Sequence, residues 1–199
     1  MGEVKIFNRW SVSDVKIEDA GLKEYCTIDA VVLPKTGARY AGNRFHKSKI
    51  NIIERLANKM MVSGHKGKKH TISSGHQTGK AQSVLKIIED AFEVLEKRKK
   101  ENPVAVLIRA IENAAPREEI LTIEYGGARY PKAVDCAPQR RIDVALRNIA
   151  QGAYSKSFNS KRSIVETLAD ELIAAADVSN TSNAISKKLE VERQADSSR

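Results

Sequence analysis

Apolar residues change their spacing twice between Asn102 and Gly152. Leu107, Ile108 and Ile111 recur at three and four residues, the signature of one helix face. Asn102 and Pro103 supply an N-cap followed by proline at the first helical position, and Pro116 halts the run. From Ile120 the period becomes two, with β-forming residues on both sides of Gly126-Gly127. That pattern predicts a two-stranded hairpin over about 119–137. Pro138 closes the second strand, and Gln139-Arg140-Arg141 opens a further amphipathic helix over 139–152, carrying Ile142, Leu146 and Ile149 inward.

The flanking regions read as helices of the same kind. Ile50, Ile53, Leu56, Ala57 and Met60 predict a helix from Lys47 to Val62, and Val84, Ile87, Ile88, Ala91, Phe92 and Leu95 another from Lys80 to about Lys100. A third follows from about Ser163 to Ala176. Residues 180–199 have helical propensity, but only Ile185, Leu189 and Val191 are placed to pack, which predicts a surface helix fraying into a tail. Residues 1–45 show no helical period; the run from Tyr25 to Leu33 is strand-like and ends at Pro34. The expected fold is mainly α: a bundle of about six helices, a protruding hairpin arm and an extended N-terminal segment. Residues 1–45 are expected to form an extension packed on the body, and residues 46–199 a single helical domain that carries the hairpin.

Charge narrows the function. The chain carries a net charge of +9, unevenly placed. Residues 35–80 hold eleven Lys/Arg against the lone acid Glu54, and residues 128–162 hold eight against Asp135 and Asp143. Two basic blocks on an otherwise acidic chain imply a polarised surface and a polyanionic partner. With aromatics at 5%, a row of stacking rings for single strands is not expected, and shape and phosphate recognition of folded RNA fits better. The phosphate-binding candidates are Arg39, Arg44, Lys47 and Lys49 ahead of a helix start, Lys66, Lys68, Lys69 and Lys80 through the loop 63–79 and its exit, and Arg140, Arg141 and Arg147 on the helix after the hairpin. Arg140 and Arg141 are expected to be exposed. On the arm, Tyr125, Gly126, Gly127, Arg129 and Tyr130 form the tip; the two tyrosines suit base stacking or cross-strand packing.

Chemistry for catalysis is not visible. Gly75 to Ala81 approaches a phosphate-binding loop, but the spacing is one residue short and Ala81 stands where a magnesium-binding hydroxyl belongs. His65, His70 and His76 share a loop at gaps that suit no common zinc site. No catalytic residue, metal, cofactor or small-molecule substrate is therefore expected. Cys26 and Cys136 read as buried free thiols, in keeping with a reducing compartment. The chain has no long apolar run and no signal-like N-terminus, so a soluble cytoplasmic protein without a membrane partner is expected. Residue patterns alone leave two binding classes open: a helical RNA-binding protein, or a β-ribbon DNA-architectural or regulatory DNA-binding protein.

The phrases ENPVAVLIRAIENAAPREE, YGGARYPKAVD and APQRRIDVALRNIAQGA resemble protein seven of the small ribosomal subunit in its archaeal/eukaryotic form. RFHKSKINIIERLANKMM and GKAQSVLKIIEDAF resemble the preceding helices of that family, so the likeness spans about residues 40–178. The resemblance implies a structural ribosomal protein that binds the 3′ major (head) domain of small-subunit rRNA and starts head assembly. It implies a hairpin near the mRNA exit channel and exit-site tRNA, and contacts with neighbouring small-subunit proteins. The chain departs from the family pattern at Asn183 and Ser186, where Tyr and Arg are expected, and its 63–79 loop is longer than the bacterial one.

Overall fold

A computed structural model describes residues 4–39, 41–64 and 79–199. Lys66, Lys68, Lys69 and the three histidines of the 63–79 loop lie outside the described residues. The elements run α1 (Ala20–Lys23), a 3-10 turn (His46–Lys49), α2 (Ile52–Met60), α3 (Ala81–Lys99), α4 (Pro103–Ala114), β1 (Glu118–Tyr125), β2 (Ala128–Asp135), α5 (Pro138–Ser157), α6 (Ile164–Ala176) and α7 (Asn183–Asp196). The architecture is mainly helical with a two-stranded antiparallel arm, as the periodicity predicts.

Local chemistry explains most boundaries. Asn102 Oδ1 accepts the Val104 N–H at 3.0 Å while Pro103 occupies the first helical position of α4. Ser163 caps α6, and Lys100 ends α3 in the left-handed conformation. The α6 helix packs against α3, α4 and α5, and its small buried residues Ala169, Ala175 and Ala176 let those neighbours approach. The core includes Ile53, Leu56, Ile88, Phe92, Leu107, Ile111, Ile142 and Leu172, all inaccessible or nearly so. Burial of this apolar surface is the main favourable term for the body.

Four expectations need correction. The helix expected over Lys47–Val62 is two elements: the 3-10 turn ends at Ile50, whose backbone is extended, and Asn51 then caps α2 by accepting the Ile53 N–H at 3.0 Å. The apolar count runs through this break because Ile50, at the junction, is buried together with Ile52 and Ile53. The strand-like run Tyr25–Leu33 makes no strand; it forms one isolated bridge between Thr27 and Asn51. Among the described residues no strand pairs with it, and its carbonyls are met singly: the Ile52 N–H donates to Thr27 O at 2.9 Å and the Phe7 N–H to Val32 O at 2.8 Å, while the side chains of Asn51 and Arg55 donate to Asp29 O at 3.0 Å and Tyr25 O at 2.7 Å. The α5 helix runs five residues past Gly152. A Cβ built at that glycine would lie 2.8 Å from the Asn183 Cβ, so the residue serves helix–helix approach and not termination. In α7 it is Ala184, Ile185 and Ala195 that bury, whereas Leu189 stays exposed. Nor is the end of the chain loose against the body, because Arg199 donates to Glu118 at the base of β1 at 2.7 Å.

The N-terminal segment contributes to the same core. Ile6, Phe7, Trp10 and Leu22 are buried, and the Trp10 ring meets Phe7 and Phe92 edge-on at 6.1 and 5.6 Å. Its indole N–H donates to Glu96 at 3.1 Å.

The arm contrasts with the body. Its strands pair from Glu118↔Asp135 to Tyr125↔Ala128, leaving a two-residue turn in which Gly126 and Gly127 take φ of 59° and 81°. Positive φ at both positions is what such a turn requires, and it favours glycine. Every residue from Leu121 to Lys132 is exposed.

Candidate nucleic-acid interface

The α2 and α5 helices pack together, and the loop with its 3-10 turn that precedes α2 folds across one end of the pair. These elements leave a cleft of about 570 Å³ on the surface. Arg44, Lys47, Arg140 and Arg147 line it, four cations drawn from the two basic blocks and separated by about a hundred positions in the chain. Lys59, Tyr25 and Phe45 complete the basic and aromatic parts of the wall.

One carboxylate organises the floor. Asp143 accepts from Lys47 and, at 3.2 Å, from Arg55, whose side chain is only 4% exposed. Burial pushes the Asp143 carboxyl up, but the hydrogen bond from Lys47 and the charges of Arg55, Lys59 and Lys47 outweigh it and leave it below the usual carboxylate range. Gln139 donates to Ser48 at 3.0 Å and ties the start of α5 to the 3-10 turn.

Three other cations of the cleft, Lys59, Arg147 and Arg44, are not neutralised in the same way. Among the described residues, Lys59 and Arg147 make no hydrogen bond or ion pair, and Arg44 stacks over Phe45 with its guanidinium carbon 5.6 Å from the ring centre. Burial lowers the Lys59 ammonium from its ordinary value; the charge of Asp143 raises it, and Lys47, Arg147 and Arg55 lower it further. An amine held half-buried beside like charges is stabilised by an incoming anion. The mouth of α5 adds to this field. Ala137 offers no side-chain cap and Pro138 sits in the first turn, so backbone N–H groups at the positive end of a twenty-residue helix border the cleft. At the start of α2 the Ile53 N–H is taken by the Asn51 cap and the Ile52 N–H by Thr27 O.

The other candidates divide. Arg39 and Lys49 meet His46 around a smaller cleft of about 220 Å³. Lys80 is exposed at the start of α3, away from either cleft lining. Arg140 is exposed as expected, but its guanidinium holds Glu119 through Nε and, at 2.6 Å, through Nη2. Arg141 is not exposed: its side chain is 12% accessible, donating to Asp19 at 2.8 Å and to Pro116 O at 3.1 Å. A hundred-degree step per residue on α5 turns it from the cleft toward the N-terminal segment. Burial raises the Asp19 carboxyl, yet the hydrogen bonds from Arg141 and the Gly21 N–H outweigh that and hold it below its usual value. On the arm, Tyr125, Gly126, Gly127, Arg129 and Tyr130 are all exposed, and Arg129 lies 3.6 Å from Glu124 across the strands.

Sequence reasoning missed Lys59 and Phe45. Lys59 falls on the polar side of an amphipathic helix, where nothing marks it apart from Asn58. Phe45 adjoins the basic run at Arg44 and was available as an aromatic beside charge. Cys26 and Cys136 are buried and free, their thiols pushed up by burial to about 12 and about 11. Among the described residues no group of three or more His, Cys, Asp or Glu is arranged to hold a metal, and no helix is long and apolar enough to cross a membrane.

Comparison with known proteins identifies the family of the chain. Residues 23–199 match the family described as ribosomal protein S7p/S5e. The chain is 53% identical to the small ribosomal subunit protein uS7 of Nanoarchaeum equitans over 197 residues, covering 99% of this chain and all of the relative. It is 46% identical to the uS7 protein of Methanothrix thermoacetophila over 98% of this chain and the whole relative, and 45% identical to that of Archaeoglobus fulgidus over 99% and 96%.

Proposed function

The chain belongs to the ribosomal protein S7p/S5e family, and from that premise we propose that it anchors the head of the small ribosomal subunit by binding the 3′ major domain of the rRNA through the α2–α5 cleft. It is a structural, non-enzymatic constituent of the small subunit in the cytoplasmic ribosome, with rRNA and other ribosomal proteins as partners. The finer reading adds initiation of head assembly by residues 46–199, with residues 1–45 as an extension, and an arm directed toward exit-site tRNA and the mRNA exit channel.

One observation carries the rRNA assignment. Cations from both basic blocks converge on a single cleft, and Lys59 and Arg147 there have no hydrogen-bond or ion-pair partner among the described residues. Exposure of the whole arm tip from Tyr125 to Tyr130, which adds nothing to the core, supports a role outside the body. Binding to a head-domain rRNA fragment, measured against salt, tests the anchor. The logarithm of the binding constant should fall with a slope of about −0.7 to −0.9 per neutralised phosphate, and a flat plot would refute it. Replacing Gly126 and Gly127 by Val should leave that affinity within about twofold while altering exit-site tRNA retention.

A further inference from the structure

We propose that the α2–α5 cleft holds one unpaired nucleotide, its base stacked on Phe45 and its phosphate among Lys59, Arg147 and the start of α5. The inference rests on the RNA-binding reading of the cleft and gives it a ligand of defined shape. Phe45 is 58% exposed, whereas Phe7, Trp10 and Phe92 are buried in the body. It sits in the cleft wall, and Arg44 covers one face of the ring at 5.6 Å, leaving the other face for a flat partner.

The same cavity holds the charge a phosphate needs. Lys59 is half-buried among like charges, Arg147 is unpaired among the described residues, and the N–H groups at the start of α5 are uncapped. An apolar ring at one place in a cleft and uncompensated cations at another match the two halves of a nucleotide. A volume of about 570 Å³ has room for one such unit. A base inside an A-form helix has both faces stacked and offers none to a protein ring, so the bound base must be a bulged, looped or terminal one. Tyr25 also borders the cleft but is partly buried against the core, so Phe45 is the well-exposed ring there, and one such ring takes one base, unlike a platform that tracks a single strand.

The test uses the full chain and the head-domain rRNA fragment. Phe45→Ala should weaken binding about tenfold, as loss of one base–aromatic stack does, with the salt slope unchanged because no ion is lost. Phe45→Tyr should restore wild-type affinity. Lys59→Met should reduce the slope by about one. Phe45→Ala within twofold of wild type, with Lys59→Met weakened, overturns the stacking proposal and leaves the RNA cleft standing. If neither variant changes binding, the cleft itself is misassigned. A second measurement follows Phe45→Trp fluorescence, with buried Trp10 as a constant background. A short single-stranded oligonucleotide should quench it and a fully paired RNA duplex should not. Equal quenching by both overturns the preference for an unpaired base.

Discussion

On the α2–α5 side of the body, Lys59 and Arg147 make no ion pair among the described residues. On the α3–α6 side, Arg98 and Arg162 converge on Asp170, Lys99 binds Asp177 and Lys156 binds Glu171. Arg147, Lys156 and Arg162 belong to one basic block of the sequence, yet the first stays open while the other two are spent on intramolecular partners. A count of basic residues therefore overstates the surface available to a polyanion. What attracts phosphate is charge that the fold leaves uncompensated, and carboxylates on neighbouring helices decide where that is.

The largest expected effect exchanges the two sides. Lys59→Met with Arg147→Met should lower affinity for the head-domain fragment by at least about a hundredfold, two charge-assisted contacts being lost. Arg98→Met with Arg162→Met should change it less than about threefold. Similar losses in both double variants, read by filter binding at fixed salt, would erase the distinction. The free protein should tolerate Lys59→Met without loss of melting temperature, since that lysine is held where its charge is disfavoured.

Next in size is the paired side itself. Glu171 is fully buried, accepting from Lys156 at 2.5 Å, Ser182 at 2.8 Å and the Ala184 N–H at 3.1 Å, so it fixes the start of α7. Lys156→Met leaves that carboxylate without its cation and should cost about 3 kcal/mol in urea unfolding, with rRNA affinity retained. A loss below about 1 kcal/mol would show the pair to be ornamental.

Adjacent arginines on α5 give a smaller, sharper contrast. Arg141→Ala removes two partly buried contacts and should destabilise the protein by about 2 kcal/mol, while Arg140→Ala should cost under about 1 kcal/mol because that pair is more exposed. Calorimetry that ranks them in the opposite order would reverse the structural roles assigned here.

The smallest effect is acid dependence in the cleft. The Asp143 carboxyl is held below its unfolded value of about 3.9, so its stabilising contribution is present above that pH and drains away as pH falls through the folded value. Asp143→Asn should flatten the fall in melting temperature between about pH 5 and pH 3. A fall as steep as the wild type's would assign acid sensitivity to other carboxylates.

By itself the sequence determined the elements whose cause is local. Asn102-Pro103 starts α4, Gly126-Gly127 makes the two-residue turn, the change from period three-to-four to period two separates arm from body, and charge segregation points to a polyanion. These follow from capping geometry, backbone freedom and side-chain spacing, which act over a few residues. Tertiary structure alone decided the rest. It broke the expected helix at Ile50, denied the Tyr25–Leu33 run a strand partner, carried α5 past Gly152 and turned Arg141 inward. It also selected Lys59 and Phe45 for the cleft. The inward turn of Arg141, the close approach at Gly152 and the environment of Lys59 depend on groups far away in sequence, Asp19, Asn183 and Asp143, and Coulomb energy and close packing depend on separation in space, which a linear pattern does not contain.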